Sequence, residues 1–156
     1  MMRRVFVALM LAFAAPGCNS LPVNGAGPAS VARVPLQIRT ASKVRQFSVE
    51  VARSEDEQSR GLMFRQSLAP NTGMIFPMAP PRNASFWMKN TIIPLDMIFI
   101  RADGSIARIA AETVPYSLEP VDSGEPVAAV LEIGGGQAAK LGIAENDHVI
   151  WDDKAR

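Results

Sequence analysis

Residues 95–114 read LDMIFIRADGSIARIAAETV, and this stretch decides the fold class. Two runs dominated by apolar residues, 95–100 and 106–114, flank the dipeptide Asp103-Gly104. Asp-Gly between such runs is a strong signal for a β-hairpin, because both residues accept the left-handed backbone that a tight turn needs. The stretch therefore predicts two antiparallel strands.

Further short apolar runs lie on both sides of this hairpin. Residues 44–51 alternate, with Phe47, Val49 and Val51 on one face, as in a half-buried strand. The other predicted strands are 36–38, 73–76, 85–88, 127–133 and 148–151. Short helices are predicted over 55–64, begun by a Ser54–Glu57 capping box, and over 137–141.

About eight strands with frequent turn signals favour a mainly β domain over βαβ units, which need more helix. We expect a single compact antiparallel sandwich or small barrel, jelly-roll-like, with one or two short helices.

The N-terminus has the pattern of an export signal. Arg3 and Arg4 precede an apolar run over 5–15 that is too short to span a bilayer as a helix, which takes about 20 residues. A charged start, a short apolar run and small residues describe a secretory signal. Residues 15–18, APGC, resemble a bacterial lipobox, in which the cysteine becomes lipid-modified, whereas Ala12-Phe13-Ala14 would fit plain cleavage.

We therefore expect a signal over 1–18, a lipid anchor on Cys18 and a position on the periplasmic face of the cell envelope. Without the lipid, the protein would be soluble in the periplasm or secreted. Residues 19–33 are rich in Gly, Pro, Ser and Ala and lack periodicity, so they predict a flexible tether. The single domain would then occupy 34–153, with a short tail over 154–156.

Composition excludes several classes of function. Sixteen Lys and Arg against fifteen Asp and Glu leave a net charge of +1, without the clustered cations that nucleic acid requires. One Cys and one His exclude a disulfide framework and the multi-Cys or two-His zinc motifs. We expect no metal and no cofactor, and no nucleic-acid partner.

A polar island interrupts the apolar sequence FWMKNTIIPLD over 86–96. Lys89, Asn90 and Thr91 form its centre, and Asp96 lies between Leu95 and Met97. A carboxylate in such surroundings is part-buried and needs a partner. The island is either a structural ion pair that fixes strand register or part of a polar cleft walled by Trp87. We expect Asp96 to be structural, and Lys89 and Asn90 to face a ligand.

Arginines at the predicted helix supply the remaining candidates. Arg60 and Arg65 in RGLMFR (60–65) form a solvated basic edge or one wall of the cleft, and either of them or Lys89 is the expected partner of Asp96. The candidate ligand-binding residues are Arg60, Arg65, Trp87, Lys89, Asn90, Thr91, Asp96 and Glu132.

Five segments together resemble a bacterial and archaeal family known as domain of unknown function 192. They are RGLMFR (60–65), GMIFPM (73–78), FWMKNTIIPLDMIFI (86–100), VLEIGGG (130–136) and GIAENDHV (142–149). The resemblance covers about 36–153 and implies a compact, mostly β domain, but no established activity or catalytic residues. Where the family usually has Gly before Asp, this chain has Asn146, which tolerates the same left-handed turn.

Three functions are compatible with these observations. The first is a non-enzymatic envelope module that binds a saccharide or an acidic small molecule in a cleft between residues 60–65 and 87–96. The second is a small hydrolase acting on envelope glycan, with Asp96 and Glu132 as its carboxylates. The third is a docking domain that exposes an apolar face.

Overall fold

Seven strands and two short helices make up residues 33–152, the part of the chain that the computed structural model describes. The predicted signal with Cys18, all but the last residue of the predicted tether, and the predicted tail lie outside these residues. The elements are β1 (Arg33–Arg39), β2 (Val44–Val51), α1 (Glu55–Arg60), β3 (Thr72–Phe86), β4 (Leu95–Ile100), β5 (Ile106–Thr113), β6 (Val121–Gly134), α2 (Gln137–Leu141) and β7 (His148–Trp151).

All seven strands belong to one sheet, in the order β5-β4-β6-β3-β2-β1-β7. Neighbouring strands are antiparallel except β2 and β3, which run parallel and are connected through α1. The sheet curls until its two edge strands meet at one end, where Ser105 bridges to His148 and the Val149 amide donates to the Gly104 carbonyl over 2.8 Å. The mainly β prediction is confirmed. The strands form one sheet curled into a half-barrel, which is nearer to the predicted small barrel than to a sandwich of two sheets.

Two strands are longer than expected. β3 joins the runs predicted over 73–76 and 85–88 and continues through Pro77 and Pro80. Its pairing with β6 shifts register between Pro77 and Arg82, which accommodates the prolines. Because β3 continues, its partner β6 starts at Val121, so residues 121–126, which precede the strand predicted over 127–133, are strand as well.

The first helix is shorter than expected. The Ser54–Glu57 capping box is present, but α1 ends at Arg60, since Gly61 takes a positive φ of 47° and caps it. The asparagine in the last turn behaves as predicted, because Asn146 has a left-handed backbone.

The sheet is apolar on both faces. Side chains alternate along each strand, so Ile98 and Ile133 enter one core cluster while Met97 and Phe99 enter the other. The second cluster is completed by Leu62, directly after α1. A polar side chain on β4, or on residues 129–133 of β6, is therefore buried whichever face it occupies. Within 33–152, no helix is long and apolar enough to cross a bilayer.

Candidate functional site

A cavity of about 360 Å³ lies between α1 with the residues that follow it and the second half of β3. Gln58 helps to hold these walls in place, because its side-chain amide donates to the carbonyls of Ala52 (3.2 Å) and Pro77 (3.1 Å). The helix is thereby tied to both β2 and β3. Phe76 and Phe86, in edge-to-face contact with centroids 5.1 Å apart, supply part of the apolar lining.

Glu132 is the carboxylate of this cavity. It lies on β6 opposite Met74 and Met97, so its side chain enters the apolar second cluster, and only 5% of the residue is exposed. Among residues 33–152 its carboxyl has no hydrogen-bond or ionic partner. Burial raises the pKa of Glu132 to about 8, since the charged form loses water and gains nothing in return.

Two arginines stand at the mouth of the cavity. Arg60 ends α1 and Arg82 follows the register shift in β3, and both residues are exposed. Neither guanidinium forms an ion pair or hydrogen bond within the described part of the chain. The cavity therefore has a basic mouth, while its floor carries a carboxyl whose pKa neither arginine lowers.

The segment over 86–96 that holds the polar island contributes two further lining residues besides Phe86. Trp87 is 49% exposed and lines the cavity, as does the buried Thr91, whose hydroxyl donates to the Lys89 carbonyl over 3.3 Å. Lys89 contacts the cavity only through Trp87, with its Nζ 4.9 Å from the ring centroid. Asn90 does not line the cavity: its backbone has a φ of 55° and its side-chain amide lies 3.8 Å from the sulfur of Met63.

Asp96 has a structural environment, but not the expected one. It is fully buried, and it accepts hydrogen bonds from the backbone amides of Glu112 (2.8 Å), Gly136 (2.9 Å) and Ala138 (2.7 Å). The expectation of a cationic partner was wrong, because the amides of β5 and α2 saturate the carboxylate. Asp96 thus joins three elements of the fold and is not part of the cavity.

Arg65 also lies outside the cavity. It donates to both carboxylate oxygens of Glu50, one of them over 2.7 Å, and Arg33 adds a third contact at 3.3 Å. These guanidiniums hold the pKa of Glu50 below its usual range. Glu50 was missed because it lies opposite the apolar face of residues 44–51, which predicts exposure. In the fold the segment after α1 covers it.

The cavity also includes Gln58 and Arg82, which the sequence did not mark as candidates. Gln58 lies inside the predicted helix, where nothing distinguishes it from a solvated residue. Arg82 follows two prolines and lies between the strands predicted over 73–76 and 85–88, so the sequence gives it no strand partner. Only the pairing of β3 with β6 brings it to the cavity.

Asp96 and Glu132 cannot act as a pair of catalytic carboxylates. Asp96 is opposite Ile133 and Met97 is opposite Glu132, so the two side chains point to opposite faces of the sheet. Glycoside hydrolysis needs both carboxyls beside one sugar, and the assignment of these two residues was wrong. Elsewhere in 33–152, no three His, Cys, Asp or Glu side chains group in a way that could hold a metal ion.

Comparison with protein families gives one match that spans the domain. The family model described as DUF192, Uncharacterized ACR, matches residues 36–151. The chain belongs to the DUF192 family. This confirms the resemblance drawn from the five sequence segments. DUF192 carries no assigned activity in that description, and a search of curated proteins gives no match.

Two crystal structures share the fold. One, from Sinorhizobium meliloti, is described as a proposed transcription regulator; it is 40% identical, with a TM-score of 0.77, and the match covers 80% of this chain and 98% of that one. The other is a protein of unknown function from Novosphingobium aromaticivorans; it is 46% identical, with a TM-score of 0.76, and the match covers 80% and 90% of the two chains. Both support the curled DUF192 sheet.

Proposed function

We propose that this DUF192 domain is a non-enzymatic binding module that holds a small polar molecule in the cavity between α1 and β3. The observation that carries the proposal is Glu132, a buried carboxyl without a partner that faces an open cavity. A buried polar group without a hydrogen bond costs about 1–3 kcal/mol. A ligand that donates a hydrogen bond there removes this cost.

The mouth and the wall of the cavity narrow the chemistry of the ligand. The unpaired guanidiniums of Arg60 and Arg82 favour an anionic group, which arginine binds through two parallel hydrogen bonds. Trp87 offers the flat apolar surface on which a sugar ring packs. The volume of about 360 Å³ falls within the usual size of small-molecule sites. An acidic saccharide combines the anion, the donors and the apolar face.

The proposed location is the cell envelope. Support comes from the charged start and apolar run of residues 1–15 and from Cys18, which follows after Pro16 and Gly17. The lipid on Cys18 would hold the domain at the membrane, and mass spectrometry of the native N-terminus tests this. The description of the Sinorhizobium relative is not carried over, because a net charge of +1 gives no field that attracts DNA.

Titration calorimetry with D-glucuronate and N-acetylmuramate, and with glucose as the uncharged comparison, tests the ligand class. We expect the acids to bind and glucose to bind far more weakly. Arg60→Gln and Arg82→Gln should each weaken binding about tenfold, as expected for hydrogen bonds to a charged group. Arg39→Gln, which changes an exposed arginine of β1, is the control.

Two results would contradict the proposal. One is that no acidic saccharide binds. The other is that both cavity variants bind as well as the Arg39→Gln protein.

A further inference from the structure

Five large apolar side chains are exposed on three loops near the cavity mouth, and we call them the apolar rim. Between 49% and 69% of each residue is accessible to solvent. Isolated exposed apolar residues need no explanation, but a contiguous group marks an interaction surface. The rim consists of Phe64, Trp87, Val114, Tyr116 and Leu118.

Backbone hydrogen bonds join the three loops into one surface. The amide of Phe64 donates to the Asn90 carbonyl (2.9 Å), and that of Tyr116 donates to the Thr91 carbonyl (3.1 Å). Met88 donates to Ser117 over 2.9 Å.

Side chains of the rim meet as well, since Trp87 and Leu118 line one small groove. Phe64 and Tyr116 both have left-handed backbones, which side chains of this size rarely adopt. The fold therefore holds the rim outward in a fixed arrangement.

We propose that the apolar rim docks on the surface of an anionic lipid bilayer. Tryptophan and tyrosine are enriched at the membrane interface, where an apolar ring and a polar edge are both accommodated. Residues 61–66, 87–91 and 114–120 carry Lys89, one acid, Glu119, and Arg65, whose charge Glu50 already balances. Arg60 and Arg82 add two unpaired cations at the adjacent cavity mouth. Basic residues beside an apolar surface suit anionic headgroups.

The entry point of the chain agrees with this orientation. Arg33, the first residue of β1, donates to Glu50, and Glu50 also holds Arg65, the neighbour of Phe64. The tether therefore joins the domain at the end of the sheet where the rim begins. A tether over 19–32 spans at most about 50 Å. The orientation inferred from the entry point depends on the proposed anchor at Cys18, whereas the exposure of the rim residues does not.

Fluorescence quenching tests the contact on the mature native protein. The protein is incorporated in vesicles of equal parts phosphatidylethanolamine and phosphatidylglycerol, with bromine on the acyl chains close to the headgroup. We expect strong quenching, and its loss in Trp87→Phe, which leaves Trp151 as the only tryptophan. Unquenched Trp87 overturns the proposal.

Partitioning of the protein between buffer and the same vesicles measures the contribution of the rim alone. For this measurement the protein carries no lipid: it is purified from the soluble fraction, or its lipid is removed. Leu118→Ser and Phe64→Ser should each lower partitioning by about tenfold or more, as expected for a large apolar side chain removed from an interface. Val44→Ser is the control, because Val44 is an exposed apolar residue as well (51%) and lies about 20 Å along β2 from Glu50.

Two outcomes overturn the docking proposal. In one, rim and control variants partition alike. In the other, light scattering shows a dimer that Leu118→Ser dissociates, which assigns the rim to a second copy of the chain. Neither outcome bears on the saccharide-binding proposal, since Leu118→Ser, Phe64→Ser and Val44→Ser leave Arg60, Arg82, Trp87 and Glu132 unchanged.

Discussion

Asp96 and Glu132 lie one register position apart on adjacent strands, and their carboxyl groups point to opposite faces of the sheet. Both are buried, yet Asp96 accepts three backbone hydrogen bonds and Glu132 accepts none within the described chain. The same chemical group thus has a structural role on one face, whereas on the other it is free for a ligand. Substitution at the two positions should therefore have opposite effects on stability.

Asp96→Ala should destabilise the domain strongly. The change leaves the amides of Glu112, Gly136 and Ala138 without their acceptor, and each unsatisfied buried amide costs about 1–3 kcal/mol. We expect the free energy of unfolding in urea to fall by about 3 kcal/mol or more. Asp122→Ala, at an exposed position of β6, should change it by less than about 0.5 kcal/mol. Equal stability of the two variants would contradict the structural role of Asp96.

Glu132→Gln should stabilise the domain at alkaline pH. The pKa of Glu132 is about 8 in the folded protein and 4.5 in the unfolded chain. Between these values the unfolded state ionises first, so the free energy of unfolding falls as pH rises, by at most about 1.4 kcal/mol per pH unit. The glutamine variant lacks this loss. Denaturation at pH 5 and pH 8 measures the difference, and parallel pH profiles of wild type and variant would refute it.

Glu50 should produce the opposite pH dependence. Arg65 and Arg33 lower its pKa below 4.5, so its contribution is present above that value and is lost as the pH falls through the lowered pKa. Arg65→Met should cost about 3 kcal/mol at neutral pH, the low end for a broken buried pair, because Arg33 remains. The cost should shrink in acid. Arg39→Met serves as control, and an undiminished cost in acid would show that lost packing dominates.

Gly73→Ala should disrupt the sheet beneath the cavity. A Cβ at Gly73 would lie 2.2 Å from the carbonyl oxygen of Glu132 and 3.0 Å from the Cγ2 of Ile133, so β3 and β6 would have to separate. We expect a loss of several kcal/mol or failure to fold, measured by thermal unfolding. Ser85→Ala on the same strand should unfold like wild type. A Gly73→Ala protein as stable as wild type would mean that β3 and β6 lie farther apart at Gly73 than the 2.2 Å contact requires.

The local features of the fold could be read from the sequence. The Asp103-Gly104 hairpin, the Ser54–Glu57 capping box and the left-handed Asn146 each depend on a few adjacent residues, and the structure contains all three. The length of β3 could not be read in this way. Prolines predict an interruption, and only its partner strand, β6, shows that pairing resumes after them.

The partners of charged side chains were also beyond the sequence. A buried carboxylate such as that of Asp96 predicts a cationic partner, because burial of its charge must be compensated. In the fold three backbone amides, those of Glu112, Gly136 and Ala138, compensate the charge instead. The alternation along residues 44–51 predicts a solvated face at Glu50, whereas in the fold the segment after α1 covers this residue. Such pairings follow from which elements meet in space, and a single sequence does not specify that.

The pairing of β1 with β7 brings the two ends of the domain together. Leu36 is opposite Trp151 in this antiparallel pair, so the start of β1 lies near the end of β7. A circular permutant that joins residue 152 to residue 33 through a few glycines would keep every strand pair, with new termini in the exposed turn at 41–43. A reporter protein fused after residue 152, by contrast, would emerge beside residue 33, where the chain enters the domain, and would crowd whatever precedes that residue.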